Sequence, residues 1–269
     1  MKQRFPWLDP LLWLGGALWL APLLLIGMIS FATSDYRPSV QLWPTMWTGD
    51  NYRLAWQQGR FLLAFFNSAL VAIAVTGSQL LTSLLAGYAL ARFPFRGRSL
   101  VNLLTIASLI IPMPLLVVPI FLILRSLHSI NTYWALILPT AANGFGIFLL
   151  RQFIRGLPVE LEQAAILDGA RRWQVLWHIV LPLCRPALIT LALFTFIGEW
   201  NDLFKPLMFT TRPELTTVQI TLSSFQELYT ANWSLLMAAV AIATLPVLVL
   251  FLIGQKSLLS GLTATGLKG

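Results

Sequence analysis

A chain of 269 residues that is 57% hydrophobic and only 10% charged, with mean hydropathy +0.76, is not an ordinary soluble domain, in which about a quarter of residues are charged. The net charge of +8 is spread over short connectors between apolar runs, which is the pattern of a membrane protein with a basic cytoplasmic side and argues against nucleic acid. The single cysteine, Cys184, allows no intramolecular disulfide, and the two histidines, His128 and His178, fall short of a zinc constellation.

Met1 to Pro10 is a short leader carrying Lys2 and Arg4. Leu11 to Phe31 has about the ~20 apolar residues that a crossing helix needs. A cleaved signal peptide is the competing reading, because Ser30-Phe31-Ala32 has the small-x-small form, but the run exceeds a typical h-region. Thr33 to Arg60 is polar, punctuated by Pro38, Pro44, Gly49 and Gly59. Its Trp43, Trp47 and Trp56 read as an aromatic belt at the membrane boundary, with stacking on sugar rings as the alternative.

Phe61 to Ala91 is the second span, and Ser68, Ala72, Thr76, Gln79, Ser83 and Gly87 form a small or polar stripe along it. Such a stripe serves close helix packing or lines an aqueous path. Arg92, Arg96 and Arg98 follow as a cytoplasmic marker. Ser99 to Leu124 is the third span, interrupted by Pro112, Pro114 and Pro119, and Tyr133 to Ile154 is the fourth, with Pro139, Asn143, Gly144 and Gly146 in it. Proline at membrane depth is tolerated where neighbours or water satisfy the carbonyls it releases. Ala187 to Met208 is the fifth span and ends in Glu199-Trp200-Asn201-Asp202; Phe209 to Ala231 reads as a polar loop, and Asn232 to Gly254 is the sixth span, bent at Pro246. Candidates for a translocation path are Thr76, Gln79, Ser83, Asn143, Gly146 and Asn201.

Six spans place twelve of the eighteen basic residues on the side of Arg92, and six on the other (Arg37, Arg53, Arg60, Arg125, Lys205 and Arg212). That asymmetry puts both termini in the cytoplasm. The segment Pro158 to Pro182 then faces the cytoplasm as well. It carries Glu160 and Glu162 where a first helical turn favours carboxylates. Leu161, Ala164, Ala165 and Asp168 recur at helical spacing, and Gly169 follows as a helix stop. A second short helix is expected with Trp173, Leu176, Trp177 and Val180 on one face, ended or kinked by Pro182 and Pro186. Two short helices at a membrane surface, presenting a shallow alanine face, have the form of a docking knob.

Gln163-Ala164-Ala165, Gly169, and Ile179-x-Leu181-Pro182 stand at the spacings of the EAA loop, and the chain thereby resembles bacterial ABC importer permeases. Trp200-Asn201-Asp202 and the tail Gly261 to Gly269 extend the likeness to the maltose-type carbohydrate uptake family, on the side of its maltose G subunit. The resemblance implies an all-α polytopic membrane protein with six transmembrane helices, a type I ABC importer transmembrane domain. It implies residues 1–65 as first span and periplasmic loop, 66–254 as the core permease domain with a coupling loop at 155–184, and 255–269 as a cytoplasmic tail. Glu162, Gln163, Ala164, Ala165, Asp168, Gly169, Ile179, Leu181 and Pro182 would form the ATPase-coupling site. The leading glutamate of the motif is replaced by Gln163, with Glu162 one residue upstream.

The partners so implied are a second, homologous permease subunit in a heterodimer, a cytoplasmic ABC ATPase dimer that binds ATP and Mg, a periplasmic or lipid-anchored solute-binding protein, and membrane lipids. The implied location is the bacterial inner membrane, and the loop 209–231 would correspond to one that reaches into the binding protein's cleft. The chain itself holds no Walker A motif, since Gly266 is followed by Leu267 rather than lysine, and no GxSxG or HExxH. It is therefore expected to be no enzyme, to bind no cofactor or metal, and to leave ATP hydrolysis to its partner. An ion-gradient-driven transporter is the alternative, with Glu199 as its poor candidate carboxylate. A membrane glycosyltransferase is a third reading that lacks an acidic metal-binding cluster.

Overall fold

The computed structural model describes residues 8–36, 43–228 and 232–266; Lys2 and Arg4 of the leader, Arg37, Pro38 and Leu267 to Gly269 lie outside them. The described residues form helices throughout, with one isolated bridge between Ala32 and Trp47 and no strand. In chain order the α-helices are α1 (Leu8–Ser30), α2 (Asp50–Gln58), α3 (Phe61–Arg92), α4 (Arg98–Ala107), α5 (Val117–Ser126), α6 (Tyr133–Ile137) and α7 (Gly144–Arg155). There follow α8 (Val159–Leu167), α9 (Arg172–Val175), α10 (Leu181–Leu183), α11 (Arg185–Trp200), α12 (Phe204–Phe209), α13 (Val218–Leu228) and α14 (Trp233–Gly266).

Three stretches are long and apolar enough to cross a bilayer: Leu12–Ser30, Phe61–Arg92 and Trp233–Gln255. With 32 residues, α3 is about 48 Å long, well beyond a hydrocarbon core of about 30 Å. The other expected spans are broken. The third is two shorter apolar pieces, because Pro112 is extended (ψ 133°) and opens a 3₁₀ turn at Met113–Leu116 rather than continuing α4. In the fourth, α6 and a 3₁₀ turn at Leu138–Thr140 meet α7 at 41°. The fifth is cut short: α11 ends at Trp200, eight residues before the expected Met208, and α12 follows after a break, while ahead of the span residues 172–183 meet α11 at 74°. Pro246 lies inside α14 without ending it, and α14 continues past the expected Gly254.

The chain divides into two compact units, residues 1–64 with 220–246, and residues 65–219 with 247–269. In the first, the Asn51 amide donates to the carbonyls of Ser30 (2.9 Å) and Ala32 (2.7 Å), which fastens α2 to the end of α1. Trp43, Trp47 and Trp56 are all exposed there.

In the second unit the small stripe on α3 is interior. A side chain on Gly87 would come within 3.0 Å of Leu150 and the Arg151 backbone, so glycine lets α3 lie directly on α7. The Asn67 amide donates to the carbonyls of Glu214 and Thr216, both at 2.8 Å, and its oxygen accepts from Tyr133 Oη at 2.6 Å. Ser68 Oγ accepts from the Val218 amide at 2.9 Å, at the start of α13. Residues expected to be a polar loop after Phe209 are thus largely helical and tied to α3; Tyr229 to Ala231 fall outside the described residues.

Candidate functional site

The segment from Leu157 to Cys184 is built on α3, α7 and α11. Leu84, Tyr88, Leu150, Ile154, Ala187 and Leu191 form one buried cluster with Val175, Leu176, Val180 and Cys184 from the segment. Ile179 and Leu181 pack partly against it. The Ile-x-Leu-Pro part of the motif therefore seats the segment. Between α9 and α10 the backbone takes a π turn at Leu176–Val180, directly ahead of Pro182, which has no N–H to give a regular helical ladder. The π turn changes the register: Val175, Leu176 and Val180 are buried, while Trp173, expected on the same face, is 60% exposed.

Helix α8 inverts the usual arrangement. Glu162 is its one buried residue, at 6% exposure, and Ala165 is half-buried. Val159, Leu161, Ile166 and Leu167 all point outward, Leu167 at 88% exposure. Gln163, Ala164 and Asp168 share that outer surface. The helix ends in a tight left-handed turn at Gly169 (φ +87°), as its glycine requires. The Ala170 amide donates to the Ala165 carbonyl (2.9 Å) and the Gly169 amide to that of Ile166 (3.0 Å), which together make a Schellman motif. Beyond it, Asp168, Gly169, Ala170, Gln174, Val175, His178 and Ile179 line an open groove of about 400 Å³.

Inward, the Glu162 carboxylate has a partner for each oxygen. Oε1 accepts from Arg92 Nε at 2.6 Å, and Oε2 accepts from Tyr88 Oη at 3.3 Å. Arg92 Nη2 donates to the Leu157 carbonyl at 3.0 Å. The guanidinium of Arg172 lies 4.9 Å over the Phe93 ring, whose neighbour Tyr88 meets it edge-on at 5.4 Å. Arg98 closes the end of α3 by donating to the carbonyls of Leu90 (3.0 Å) and Ala91 (3.3 Å). The sequence marks Arg92 only as a cytoplasmic residue. Its pairing with Glu162, seventy positions away, has no signature in a single chain.

The six path candidates do not share one surface. Gln79 is buried, donating to the Thr140 carbonyl (2.7 Å) and accepting from Thr195 Oγ1 (2.9 Å). Ser83 is buried with its hydroxyl unpartnered, and it occupies the space a side chain on Gly146 would need. Thr76 is half-buried, and its hydroxyl also lacks a partner. Asn143 caps α7 through the Phe145 amide (2.6 Å). Asn201 alone is exposed, at the end of α11, bonded to Ile197 and Gln219.

Near Asn201 the structure adds a buried charged group, at the Glu199 to Lys205 end of the expected fifth span. Lys205 is 1% exposed. Its ammonium donates to the Glu199 carboxylate and to Thr140 Oγ1 (2.7 Å), and lies 3.4 Å from Asp202 Oδ2. The buried ammonium thus has two hydrogen bonds and a second carboxylate in ion-pair range, which offsets its desolvation. The Asp202 carboxylate also accepts from the Phe204 amide (2.9 Å) at the start of α12. Among the described residues no cluster of His, Cys, Asp and Glu has the form of a metal site.

Residues 79–263 match the family described as binding-protein-dependent transport system inner membrane component. The arabinooligosaccharides transport system permease protein of Halalkalibacterium halodurans is 32% identical over 278 aligned positions, covering 100% of this chain and 99% of that protein. The sulfoquinovosyl glycerol transport system permease protein of Agrobacterium fabrum is 36% identical over 221 positions, 81% of this chain and 78% of that protein. The trehalose/maltose transport system permease protein of Thermococcus litoralis is 37% identical over 206 positions, 76% and 74% respectively. In fold, the chain is similar to a crystal structure of a bacterial ABC transporter involved in the import of the acidic polysaccharide alginate. The TM-score is 0.80 at 22% identity, over 92% of this chain and 94% of that one.

Proposed function

The chain belongs to the family of binding-protein-dependent transport system inner membrane components, and we propose that it forms half of the translocation pore of an ABC importer for a sugar or sugar-like solute. The carbohydrate solutes named for its relatives support that class. A second, homologous permease completes the pore, a solute-binding protein delivers the solute, and a cytoplasmic ATPase dimer binds ATP and Mg. Both termini and α8 face the cytoplasm, on the basic asymmetry of the loops. Closure of the ATPase dimer on ATP draws the docking helices of the two permeases together and turns the cavity outward.

The observation that carries this reading is α8 itself. A nine-residue helix that buries a carboxylate and exposes Val159, Leu161, Ile166 and Leu167 is unfinished as part of one chain. It is completed by a partner with an apolar groove. Gln163, Ala164 and Asp168 on the outer surface are the contacts to the ATPase, while Gly169 sets the turn, and Ile179, Leu181 and Pro182 hold the base. On the path side, Thr76, Asn143 and Asn201 approach the solute, with Gln79, Ser83 and Gly146 packed beneath them. The ion-gradient alternative loses support from Glu199, whose carboxylate is bound by the ammonium of Lys205.

Proteoliposomes holding the co-expressed complex, with ATP inside and binding protein plus labelled oligosaccharide outside, test the reading. Uptake is expected to need ATP and to survive a protonophore. Uptake that ignores ATP and collapses with the protonophore would refute it.

A further inference from the structure

We infer that Arg92 and Glu162 form an intrachain strut that transmits displacement of α8 to α3, which makes them positioning residues for coupling and not contacts to the ATPase. The inference rests on the reading of α8 as the docking helix. Three observations lead to it.

The first is direction. Glu162 is the only buried residue of α8 and points away from the outward face. Both of its oxygens are taken by the last turns of α3, from Tyr88 and Arg92. A carboxylate so placed is not available to a second protein.

The second is convergence. Arg92 also holds the Leu157 carbonyl, just ahead of α8, and Arg172, just after it, lies over Phe93. Both ends of the docking segment are thereby tied to residues 88–93, the last turn of α3 and the residue after it. Apolar packing alone would let α8 slide over α3. A short charge-assisted bond at 2.6 Å with a fixed fork geometry resists sliding.

The third is stiffness. α3 runs unbroken for 32 residues, whereas α7 and α11 meet the helical residues before them at 41° and 74°. A displacement passed through such a bend is absorbed at the break. Passed to α3, it reaches the far end of the helix, where Asn67 and Ser68 hold residues 214–218.

The test uses the complete complex in proteoliposomes, with uptake, ATP hydrolysis and retained ATPase measured together. In Arg92→Gln and in Glu162→Gln, the ATPase is expected to co-purify at wild-type ratio and to hydrolyse ATP, while solute moved per ATP falls about ten-fold or more. The exchanged pair, Arg92→Glu with Glu162→Arg, should recover part of that loss. A purely structural pair would lower accumulation and leave the uptake-to-hydrolysis ratio unchanged. Should the neutral variants fail to accumulate, Arg92→Lys keeps a cation at Glu162 but drops the fork to Leu157, and an intermediate ratio is expected. A wild-type ratio in whichever variants accumulate would overturn the strut. So would loss of the ATPase in Glu162→Gln with retention in Arg92→Gln, which would make Glu162 a partner contact. Leu167→Asp separates the two readings: if it leaves ATPase retention intact, the docking assignment of α8 is wrong, whatever Arg92 does.

Discussion

Replacement of Gly169 gives a graded test of the turn after α8. Its backbone sits at φ +87°, and a Cβ built there meets nothing within 4 Å. Any cost of substitution is therefore conformational and not a clash. An ordinary side chain in the left-handed region costs about 1–2 kcal/mol, asparagine less, and a β-branched residue more. Since about 1.4 kcal/mol is ten-fold in an equilibrium, Gly169→Ala should lower the population of the native turn by roughly an order of magnitude relative to competing ones. Gly169→Asn should be nearly silent and Gly169→Val worst. Membrane accumulation should be the same in all three, because no span is touched. Co-purification of a tagged ATPase and solute uptake, compared at matched membrane levels, should fall in the order Asn, Ala, Val. Normal binding and uptake in Gly169→Val would refute the assignment of this stretch. Equal damage in Asn and Val would show that the position is read by a partner's surface and not by its own backbone.

Gly146→Ala should lower the melting temperature of the purified complex, because the new methyl meets Ser83 and the side chain of Leu191; overpacking of this kind costs about 1–3 kcal/mol. Adding Ser83→Ala should restore part of the loss, since that hydroxyl has no partner to lose. Lys205→Met leaves Glu199 and Asp202 without their cation and should destabilise by about 3–5 kcal/mol, read as a melting shift, with partial recovery when Glu199→Gln is added. Alkaline phosphatase fused after Gly269 should be inactive and one inserted between Thr211 and Glu214 active; the reverse would overturn the topology and the docking of α8 with it.

Much of the fold was legible in the sequence because its causes are local. Apolar length marked α1, α3 and α14, and the prolines marked where the third and fourth spans break and where the second short helix of the segment 158–182 gives way to α11. How far each span bends was not legible, because it depends on what receives the released carbonyls. Residues 218–228 read as loop because Val-Gln-Ile-Thr is polar and β-branched in alternation; what starts the helix is the hydroxyl of Ser68, 150 positions earlier. The stripe on α3 supported two readings, packing first and path lining second, since small residues serve both. Leu150 against Gly87 decides in favour of packing at that point. At the candidate site Gly169 was legible for the same local reason. Lys205 was not, because a lysine near a helix end ordinarily reaches water.

On the proposed docking role, the arrangement of α8 follows from a constraint on any helix that must serve two proteins. Nine residues are too few to be stably helical alone, so α8 depends on attachment. Had its apolar residues supplied that attachment, they would be buried in this chain and lost to a partner. A fully buried leucine is worth about 1.5–3 kcal/mol, and Leu161 keeps about half and Leu167 most of that unrealised, at 47% and 88% exposure. Attachment has instead been given to groups that a partner's apolar groove cannot use: a carboxylate paired with Arg92, a carbonyl held by the same guanidinium, and the Schellman turn at Gly169. The charge that the sequence motif lacks at Gln163 is thus present one residue earlier and turned inward. On the proposed docking role, α8 would offer a partner Gln163, Ala164, Asp168 and its exposed apolar side chains, while the Glu162 carboxylate is engaged by its own chain.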